Sequence, residues 1–438
     1  MAEYLPLFLF LILIIILLFG YPVAFTLGGV SVGFGLIVFG PEFFNLLPMR
    51  IFGTMTNFVL IAVPLFIYMG VMLERSGIAE RLLDTMALLL GRLRGGLAMS
   101  VVIVGAILGA STGIVGATVT TMGLLSLPAM IKRGYKKELA TGTIAASGTL
   151  GQLIPPSIVM VLLGSVMNIS VGDLFTAAII PASVLVTSYL IYIFIYALVN
   201  KKSVPLIDES ELKEFKSSGF LIRVLRSFVL PLLLIVAVLG SIYLGVASPT
   251  EAAAVGALMA SVLTALEGKL DLKTIFQVSK ETCFITCMVF TILFGATAFG
   301  LVFRGIGGDN LLVSLIESSN LGPYGFLALV MIGIFIAGFF IDFIEIIFIF
   351  IPVVTPIFIV YDMDLLWIGI LITMNLQTSF LTPPFGFSLF YLKGVSPPSI
   401  KTSMIYKGVF PFIIIQILAI FVLIAFPDIT SYLLSLNK

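Results

Sequence analysis

The stretch GTLGQLIPPSIVM, residues 148–160, places two consecutive prolines inside a segment that is otherwise apolar enough to cross a membrane. A proline has no backbone N–H and its ring clashes with the preceding turn of a helix, so Pro155 and Pro156 interrupt any helix that contains them. Gly148 and Gly151 loosen the turn before the prolines further. We therefore predict a helix that unwinds at membrane depth and leaves backbone carbonyl groups free.

The chain as a whole is strongly apolar. Of its 438 residues, 60% are hydrophobic and 10% are charged, and the mean hydropathy is +1.23. Soluble domains contain roughly 45–50% apolar and about 25% charged residues. The composition therefore predicts an all-α polytopic membrane protein that is embedded in a lipid bilayer. No Lys or Arg precedes the first apolar run, so it differs from a signal peptide and we expect it to remain as a span.

The residue types that catalysis usually needs are scarce. The chain has no His and only two Cys, Cys283 and Cys287, and it contains neither a GxSxG nor a P-loop pattern. We therefore predict that the protein is not an enzyme and holds no cofactor or catalytic metal. The cysteines are four residues apart on one helix face, and we predict paired core thiols rather than a redox or metal site. The formal net charge of +1 predicts no nucleic-acid partner.

Ten stretches have the length and hydropathy of a transmembrane helix, which needs about 20 apolar residues. They are residues 3–19, 22–39, 53–73, 138–167, 173–199, 223–245, 249–266, 283–303, 364–393 and 404–427. Two further apolar segments, 96–131 and 322–360, are interrupted near their centres by ASTGIVGATVT and FFIDFIE. We predict that each of these two segments forms a helical hairpin.

Both hairpins are predicted to enter the membrane without crossing it. Arms of about 15 residues reach roughly 22 Å, which is short of a hydrocarbon core of about 30 Å. Non-helical backbone at that depth requires protein or water around it, so we expect the first tip, near residues 111–116, at an internal site. In the second hairpin, Asp342 and Glu345 are functional candidates because an intramembrane carboxylate is costly. The arm length is the only observation that distinguishes a hairpin that turns back inside the membrane from one whose two arms both cross it.

The distribution of basic residues predicts the orientation of the chain. If the N-terminus is periplasmic, only Arg50, Arg304 and Lys438 among the 23 Lys and Arg residues lie on the outer side. Cytoplasmic loops collect Lys and Arg, so we predict that the N- and C-termini are both periplasmic. Arg304 is expected to anchor the outer end of its span at the membrane interface.

The prolines of the two halves recur with a spacing of 227 to 230 residues. The pairs are Pro22 and Pro249, Pro128 and Pro356, Pro155 and Pro383, Pro156 and Pro384, and Pro181 and Pro411. Each half contains five spans, and an odd number inverts the second half relative to the first, as in many secondary transporters. We predict two inverted repeats, residues 1–210 and 211–438, joined by the cytoplasmic connector IDESELKEFKSSG at 207–219.

Two amphipathic segments, near residues 78–91 and 271–281, follow the spans 53–73 and 249–266. An apolar stripe opposite a charged face is typical of a helix that lies in the membrane interface. We predict that both segments lie along the membrane surface as arms that connect a fixed scaffold to a moving domain.

Four motifs resemble those of one transporter family over essentially the whole chain. GASTGIVGATVTTMG, GTLGQLIPPS, GFFIDFIEIIFIFIPVVTPI and TSFLTPPFGFSLFYLKG resemble the large membrane subunit of tripartite ATP-independent periplasmic (TRAP) transporters. The resemblance implies an elevator mechanism and sodium-coupled symport of an organic anion, a C4-dicarboxylate or a sugar acid such as sialic acid, across the bacterial inner membrane. It also implies two protein partners, a small four-span membrane subunit and a periplasmic binding protein that delivers the substrate.

The same resemblance implies two Na⁺ sites, with Na⁺ as coupling ion and no further cofactor. The first would use Ser111 and Thr112 at the hairpin tip with the backbone carbonyl groups of Gly151, Ile154 and Pro156. The second would use Asp342 of the second hairpin with Thr378, Ser379, Thr382 and Pro384 of the matching broken helix. Glu345 has no counterpart in this scheme, and a hydroxyl group on a neighbouring helix is its alternative partner.

Three alternatives remain open at this point. A stand-alone divalent-anion/sodium symporter would share the fold and the sites but need no binding protein. An ion channel or a structural scaffold would need no paired broken helices. Coupling to protons through Asp342 and Glu345 would use the intramembrane carboxylates without sodium.

Overall fold

The computed structural model describes residues 4–205, 224–311, 314 and 321–436, and within these ranges the regular structure is entirely helical. This confirms the all-α prediction for the described residues. The α-helices run, in chain order, as follows: α1 Leu5–Leu18, α2 Val23–Phe39, α3 Leu47–Met55, α4 Ala62–Arg75, α5 Ile78–Leu89, α6 Gly96–Thr112, α7 Val115–Lys132, α8 Lys137–Thr149, α9 Ile158–Met167, α10 Val171–Val199, α11 Leu230–Tyr243, α12 Pro249–Leu266, α13 Leu272–Gly305, α14 Pro323–Ala337, α15 Phe343–Val360, α16 Leu365–Leu381, α17 Phe387–Val395, α18 Thr402–Ala425 and α19 Asp428–Ser435.

Seven helical segments among the described residues are long and apolar enough to cross a membrane. They are Phe58–Arg75, Val115–Lys132, Val171–Val199, Pro249–Leu266, Leu272–Gly305, Phe343–Val360 and Thr402–Ala425. Five of them coincide with predicted spans, and the other predicted spans contain shorter apolar helices or a helix that is interrupted. The protein is therefore a multi-pass membrane protein.

The third predicted span begins later than expected. Residues 47–55 form the separate helix α3, and Asn57 adopts an extended conformation in which its side-chain oxygen caps the next turn by accepting a hydrogen bond from the N–H of Val59. Asparagine is a preferred residue at such a helix start. The span consequently starts at Phe58 instead of residue 53.

Only one of the two predicted surface arms is a separate helix. Gly77 adopts a left-handed conformation with φ of +71° and divides α4 from α5, as glycine readily does. The segment 271–281 instead forms the first turns of α13, a continuous helix of 34 residues. The segment is continuous with the predicted span 283–303 because no Gly or Pro interrupts the chain between Leu272 and Phe294, and its position along the membrane surface stays a prediction.

The prediction that Cys283 and Cys287 are core thiols was also wrong. Both side chains are exposed, although their sulfur atoms lie 3.9 Å apart. Phe284 and Met288, on the same stretch of α13, are exposed as well. This part of α13 therefore presents apolar and thiol groups outward, as a lipid-facing surface does.

Both predicted hairpins are present, with longer arms than expected. Gly113, with φ of +62°, and Ile114 join α6 to α7, and residues 338–342 join α14 to α15. The arms contain 17 and 18 residues in the first hairpin and 15 and 18 in the second. These lengths correspond to about 22 to 27 Å of helix, so arm length does not separate a re-entrant hairpin from two crossings.

Both predicted helix interruptions are confirmed. A short 3₁₀ turn, Leu150–Gln152, and an irregular segment separate α8 from α9, while residues 382–386 separate α16 from α17. The peptide bonds Pro155–Pro156 and Pro383–Pro384 are both cis. The predicted connector 207–219 and the boundary between the two predicted repeats lie outside the described residues.

Candidate functional site

The first hairpin tip lies directly against the first broken helix. A Cβ atom added to Gly151 would lie 2.5 Å from the carbonyl oxygen of Gly109, so the two backbones are in contact. At the turn itself, a Cβ atom on Gly113 would lie 3.2 Å from the backbone nitrogen of Ile158, the first residue of α9. The structure therefore brings together the two segments that were predicted to form the first site.

The hydroxyl groups of the first tip are buried and hydrogen-bonded within the hairpin. Ser111 Oγ donates to the carbonyl oxygen of Leu108 at 2.8 Å, and the hydroxyls of Thr112 and Thr118 are 2.7 Å apart. Ser111 and Thr112 are 2% and 7% exposed. A hydroxyl oxygen keeps a lone pair while it donates, so both side chains can still accept a cation contact.

The second hairpin tip also lies against the second broken helix, through a glycine that contacts a serine side chain. A Cβ atom on Gly338 would lie 2.7 Å from Cβ of Ser379, so only a glycine fits there without displacing α16. Thr378, Ser379 and Thr382 each donate their hydroxyl group to a carbonyl oxygen three or four residues earlier, at 2.7 to 2.8 Å. Their hydroxyl oxygens therefore remain available as acceptors.

Asp342 begins α15 as its N-cap. Its Oδ1 accepts a hydrogen bond from the N–H of Phe343 at 2.8 Å, and Glu345 Oε2 accepts one from the N–H of Asp342 at 2.9 Å. This reciprocal arrangement is a capping box. Glu345 consequently pairs with the Asp342 backbone, and its alternative partner, a hydroxyl on a neighbouring helix, is not among its hydrogen bonds in the described residues. The D-x-x-E spacing of Asp342 and Glu345 was the sequence signal for this capping box.

Within the part of the chain that the structure describes, Asp342 makes no hydrogen bond to Thr378, Ser379 or Thr382. The carbonyl oxygen of Pro384, a predicted ligand, accepts a hydrogen bond from the Tyr406 hydroxyl at 2.9 Å. The structure therefore places the second hairpin tip against the second broken helix through the contact of Gly338 with Ser379, without a hydrogen bond between Asp342 and the three hydroxyl groups among the described residues.

The two interruptions differ in exposure. Pro155 and Pro156 are buried, whereas Pro384 and the following Phe385 are exposed. Each interruption is nevertheless closed by a serine: Ser157 donates to the carbonyl oxygen of Gln152 at 2.6 Å and Ser388 to that of Phe380 at 2.8 Å. The two interruptions are thus closed by a similar serine hydrogen bond, but only the second one has an exposed proline.

One polar side chain at the first interruption was missed by sequence reasoning. Gln152 is completely buried, and neither its amide nitrogen nor its amide oxygen has a hydrogen-bond partner among the described residues. Leaving a buried amide unpaired costs about 1–3 kcal/mol. A cation would satisfy the oxygen, because hard cations prefer oxygen ligands. The sequence signal was a single amide two residues before Ile154, inside the predicted break.

A second polar contact missed by sequence reasoning joins α4 to the first hairpin. Thr121 of α7 donates its hydroxyl to Glu74 Oε1 at 2.6 Å. Glu74, Thr112, Thr118 and Thr121 also line one small cavity beside the tip. In the sequence, only the carboxylate of Glu74 near the end of an apolar helix indicated a polar contact. That Thr121 lies opposite it depends on tertiary packing.

A family model described as "Tripartite ATP-independent periplasmic transporter, DctM component" matches residues 10–429. The C4-dicarboxylate TRAP transporter large permease protein DctM of Pseudomonas aeruginosa is 31% identical over 403 residues, which cover 92% of each chain. The ectoine/5-hydroxyectoine TRAP transporter large permease protein UehC of Ruegeria pomeroyi is 32% identical over 428 residues, 97% of each chain.

The fold also resembles a solved transporter structure. The crystal structure of the YdaH transporter of Alcanivorax borkumensis superimposes with a TM-score of 0.59, covering 88% of this chain and 89% of that one at 14% identity. At that identity the likeness concerns the fold alone.

Proposed function

Because this chain belongs to the DctM component family of tripartite ATP-independent periplasmic transporters, we propose that it is the large permease subunit of a sodium-coupled symporter for an organic anion. The observation that carries the proposal is the close contact of a hairpin with a broken helix, between the backbones of Gly109 and Gly151 and again between Gly338 and the side chain of Ser379. Broken helices with free carbonyl groups are how many secondary transporters coordinate Na⁺.

The donor groups at the two tips fit Na⁺ as coupling ion. We assign the first site to Ser111 and Thr112 with the carbonyl groups of Gly151, Ile154 and Pro156, and the unpaired amide of Gln152 supports an ion there. We assign the second site to Asp342 with Thr378, Ser379, Thr382 and Pro384. Every one of these groups offers an oxygen, the ligand type that hard cations prefer.

For the substrate, we propose a carboxylate: a C4-dicarboxylate or a sugar acid such as sialic acid. Helix starts and small polar groups at the two tips favour an anion. The relatives named for C4-dicarboxylate and for ectoine are 31% and 32% identical to this chain, so overall identity does not choose between substrates.

We further propose that residues 1–210 and 211–438 are inverted repeats and that the hairpins move as part of an elevator domain. The matching serine contacts, Ser157 with Gln152 and Ser388 with Phe380, support equivalent breaks in the two halves. The repeated contact of a hairpin tip with a break supports the movement of each hairpin and its broken helix as one unit.

The tripartite family name supports two protein partners, which we propose are a small four-span membrane subunit and a periplasmic binding protein. The proposed location is the bacterial inner membrane, with both termini periplasmic. This orientation follows from the excess of Lys and Arg on the other side.

Reconstitution tests the proposal directly. The complex with its small subunit is placed in proteoliposomes, and uptake of the binding protein's ligand is measured with and without an inward Na⁺ gradient. We expect uptake to require both the gradient and the binding protein. Uptake driven by a proton gradient in Na⁺-free buffer would reject sodium coupling, and uptake without the binding protein would favour a stand-alone symporter.

A further inference from the structure

A cavity of about 660 Å³ lies away from both hairpin tips, between α3, α9, α13 and α15. Its lining includes Arg50 and Thr54 from α3, Thr297 and Arg304 from α13, Ser165 from α9 and Pro352 from α15. Binding sites for small molecules have volumes of roughly 300–1,000 Å³. The cavity is therefore large enough for a metabolite with several carbon atoms.

The charge of the cavity is positive. Two arginines line it, and no Asp, Glu or Lys does so among the described residues. Arg304 approaches Asp309 only to 3.8 Å, with both side chains about half exposed, and such a surface pair contributes little. Arg50 forms no ion pair within the described ranges. Two guanidinium groups therefore remain available to an anion.

Polar groups bridge the helices that enclose the space. The hydroxyls of Thr54 and Thr297 lie 3.4 Å apart, and Asn57 Nδ2 donates to Ser165 Oγ at 3.0 Å. Gly300 lines the cavity, and a Cβ atom added there would meet no other atom within 4 Å. The cavity thus combines hydrogen-bonding groups on its wall with unfilled space, as a ligand site does.

The position of the cavity connects it to the first break and to the second hairpin tip. The helix that contributes Ser165 begins directly after the first break, and the helix that contributes Pro352 begins at Asp342. In the predicted orientation, Arg50 and Arg304 are on the periplasmic side. Arg304, expected only to anchor a helix end, therefore lines a cavity beside the helices that follow the first break and the second hairpin tip.

We propose that this cavity is a receiving site for a small organic anion with a carboxylate group, held by the guanidinium groups of Arg50 and Arg304 before it reaches the site between the hairpin tips. The proposal rests on the proposed function, because it assumes that organic anions are the substrates. Arginine is suited to this role because its planar donors match a carboxylate.

Charge-selective labelling tests the positive field without knowledge of the substrate. In the complex with its small subunit, Cys283 and Cys287 are replaced by Ser and Gly300 by Cys. The rates of reaction with an anionic and a cationic methanethiosulfonate are compared. We expect Arg50→Gln combined with Arg304→Gln to lower the anionic-to-cationic rate ratio at least about fivefold, because each removed positive charge slows the anionic reagent and speeds the cationic one, by amounts that salt partly screens. The matched control, Arg92→Gln, should leave it unchanged, and an unchanged ratio in the double variant overturns the proposal.

Protection of Gly300→Cys then identifies the occupant. Succinate, N-acetylneuraminate and gluconate are tested in nanodiscs of phosphatidylcholine, with succinamide as the neutral control and no Na⁺ gradient. We expect at least one carboxylate to slow labelling, and only while the two arginines are present. Protection by none of them, or protection that arises only from added phosphatidylglycerol, overturns the proposal, the latter in favour of a lipid headgroup. Because neither labelling experiment uses transport or Na⁺, its outcome is independent of the test of sodium coupling.

Discussion

The backbone N–H of Asp342 donates a hydrogen bond to Glu345 Oε2 over 2.9 Å, so the two carboxylates of the second hairpin belong to one helix start. Asp342 can therefore stabilise α15 as a cap and also bind a cation through its remaining lone pairs. Glu345 stabilises this helix start through its hydrogen bond to the Asp342 backbone. The two residues should respond differently to neutral substitution, and the first prediction uses this difference.

Asp342→Asn should weaken the sodium dependence of uptake while the fold survives. Asparagine is as good an N-cap as aspartate, but it removes the negative charge that offsets the desolvation of Na⁺. Loss of a charged contact worth about 1.5–3 kcal/mol should raise the Na⁺ concentration for half-maximal uptake roughly tenfold or more. The matched control is Glu345→Gln, which preserves a capping box. Equal sodium dependence of uptake in the wild type and in Asp342→Asn would show that Asp342 is not a ligand of the second site.

Gln152→Met should make the Na⁺-free protein more stable and its Na⁺-induced stabilisation smaller. The substitution replaces an unpaired buried amide that costs about 1–3 kcal/mol by an apolar side chain of similar length. It also removes an amide oxygen that is available to the proposed ion, so Na⁺ should shift the melting temperature less. Thermal unfolding of the detergent-solubilised complex with and without Na⁺ measures both effects.

Gln416→Met is the control for this prediction. Gln416 Nε2 donates to the hydroxyl of the buried Tyr189 at 2.7 Å while its Oε1 is unpaired, so its loss should change the stability of the protein by the same amount with and without Na⁺. An undiminished Na⁺ shift in Gln152→Met would show that its amide is not a ligand.

Gly151→Ala should impair both stability and uptake. The added methyl group would press on the carbonyl oxygen of Gly109 at 2.5 Å and separate the hairpin tip from the break, at an overpacking cost of about 1–3 kcal/mol. Gly33→Ala is the matched control, because a Cβ atom there meets no other atom within 4 Å. We expect the control to retain uptake and to melt at or above the wild-type temperature; normal uptake by Gly151→Ala would contradict the role of the contact.

A cross-link between residues 74 and 121 should stop uptake reversibly. Glu74 and Thr121 are hydrogen-bonded across α4 and the first hairpin, and an elevator movement of the hairpin would separate them. Cysteines at both positions, with Cys283 and Cys287 replaced by Ser, are joined by a short thiol-specific reagent, and uptake is measured before and after reduction. Full uptake in the cross-linked protein would argue against movement between these helices.

The helix interruptions could be predicted from the sequence because their cause is local. Pro155, Pro156, Pro383 and Pro384 lack backbone donors wherever they are packed, and Gly113 can adopt its positive φ without steric cost. The predicted breaks and hairpin turns are accordingly present. The extent of α13 was missed because hydropathy ended the span at Thr282 and Cys283, whereas helical hydrogen bonding continues through polar residues.

The remaining features depend on contacts between distant residues. Nothing local indicates that Thr121 lies opposite Glu74, or that Arg50 and Arg304 line one cavity. The outward orientation of Cys283 is likewise a property of packing, since apolar residues occupy every face of a membrane helix. Composition identified the membrane class but could not assign the faces of these helices.

The unequal exposure of the two prolyl breaks has a consequence for the order of events in a transport cycle. An ion held beside Pro155 and Pro156 is enclosed by protein, whereas one beside Pro384 is near the surface. Exchange at the enclosed position requires the segment around it to open first, so its residence time is set by a conformational rate and not by diffusion. The two ions would then leave in a fixed sequence, with the one near Pro384 departing first.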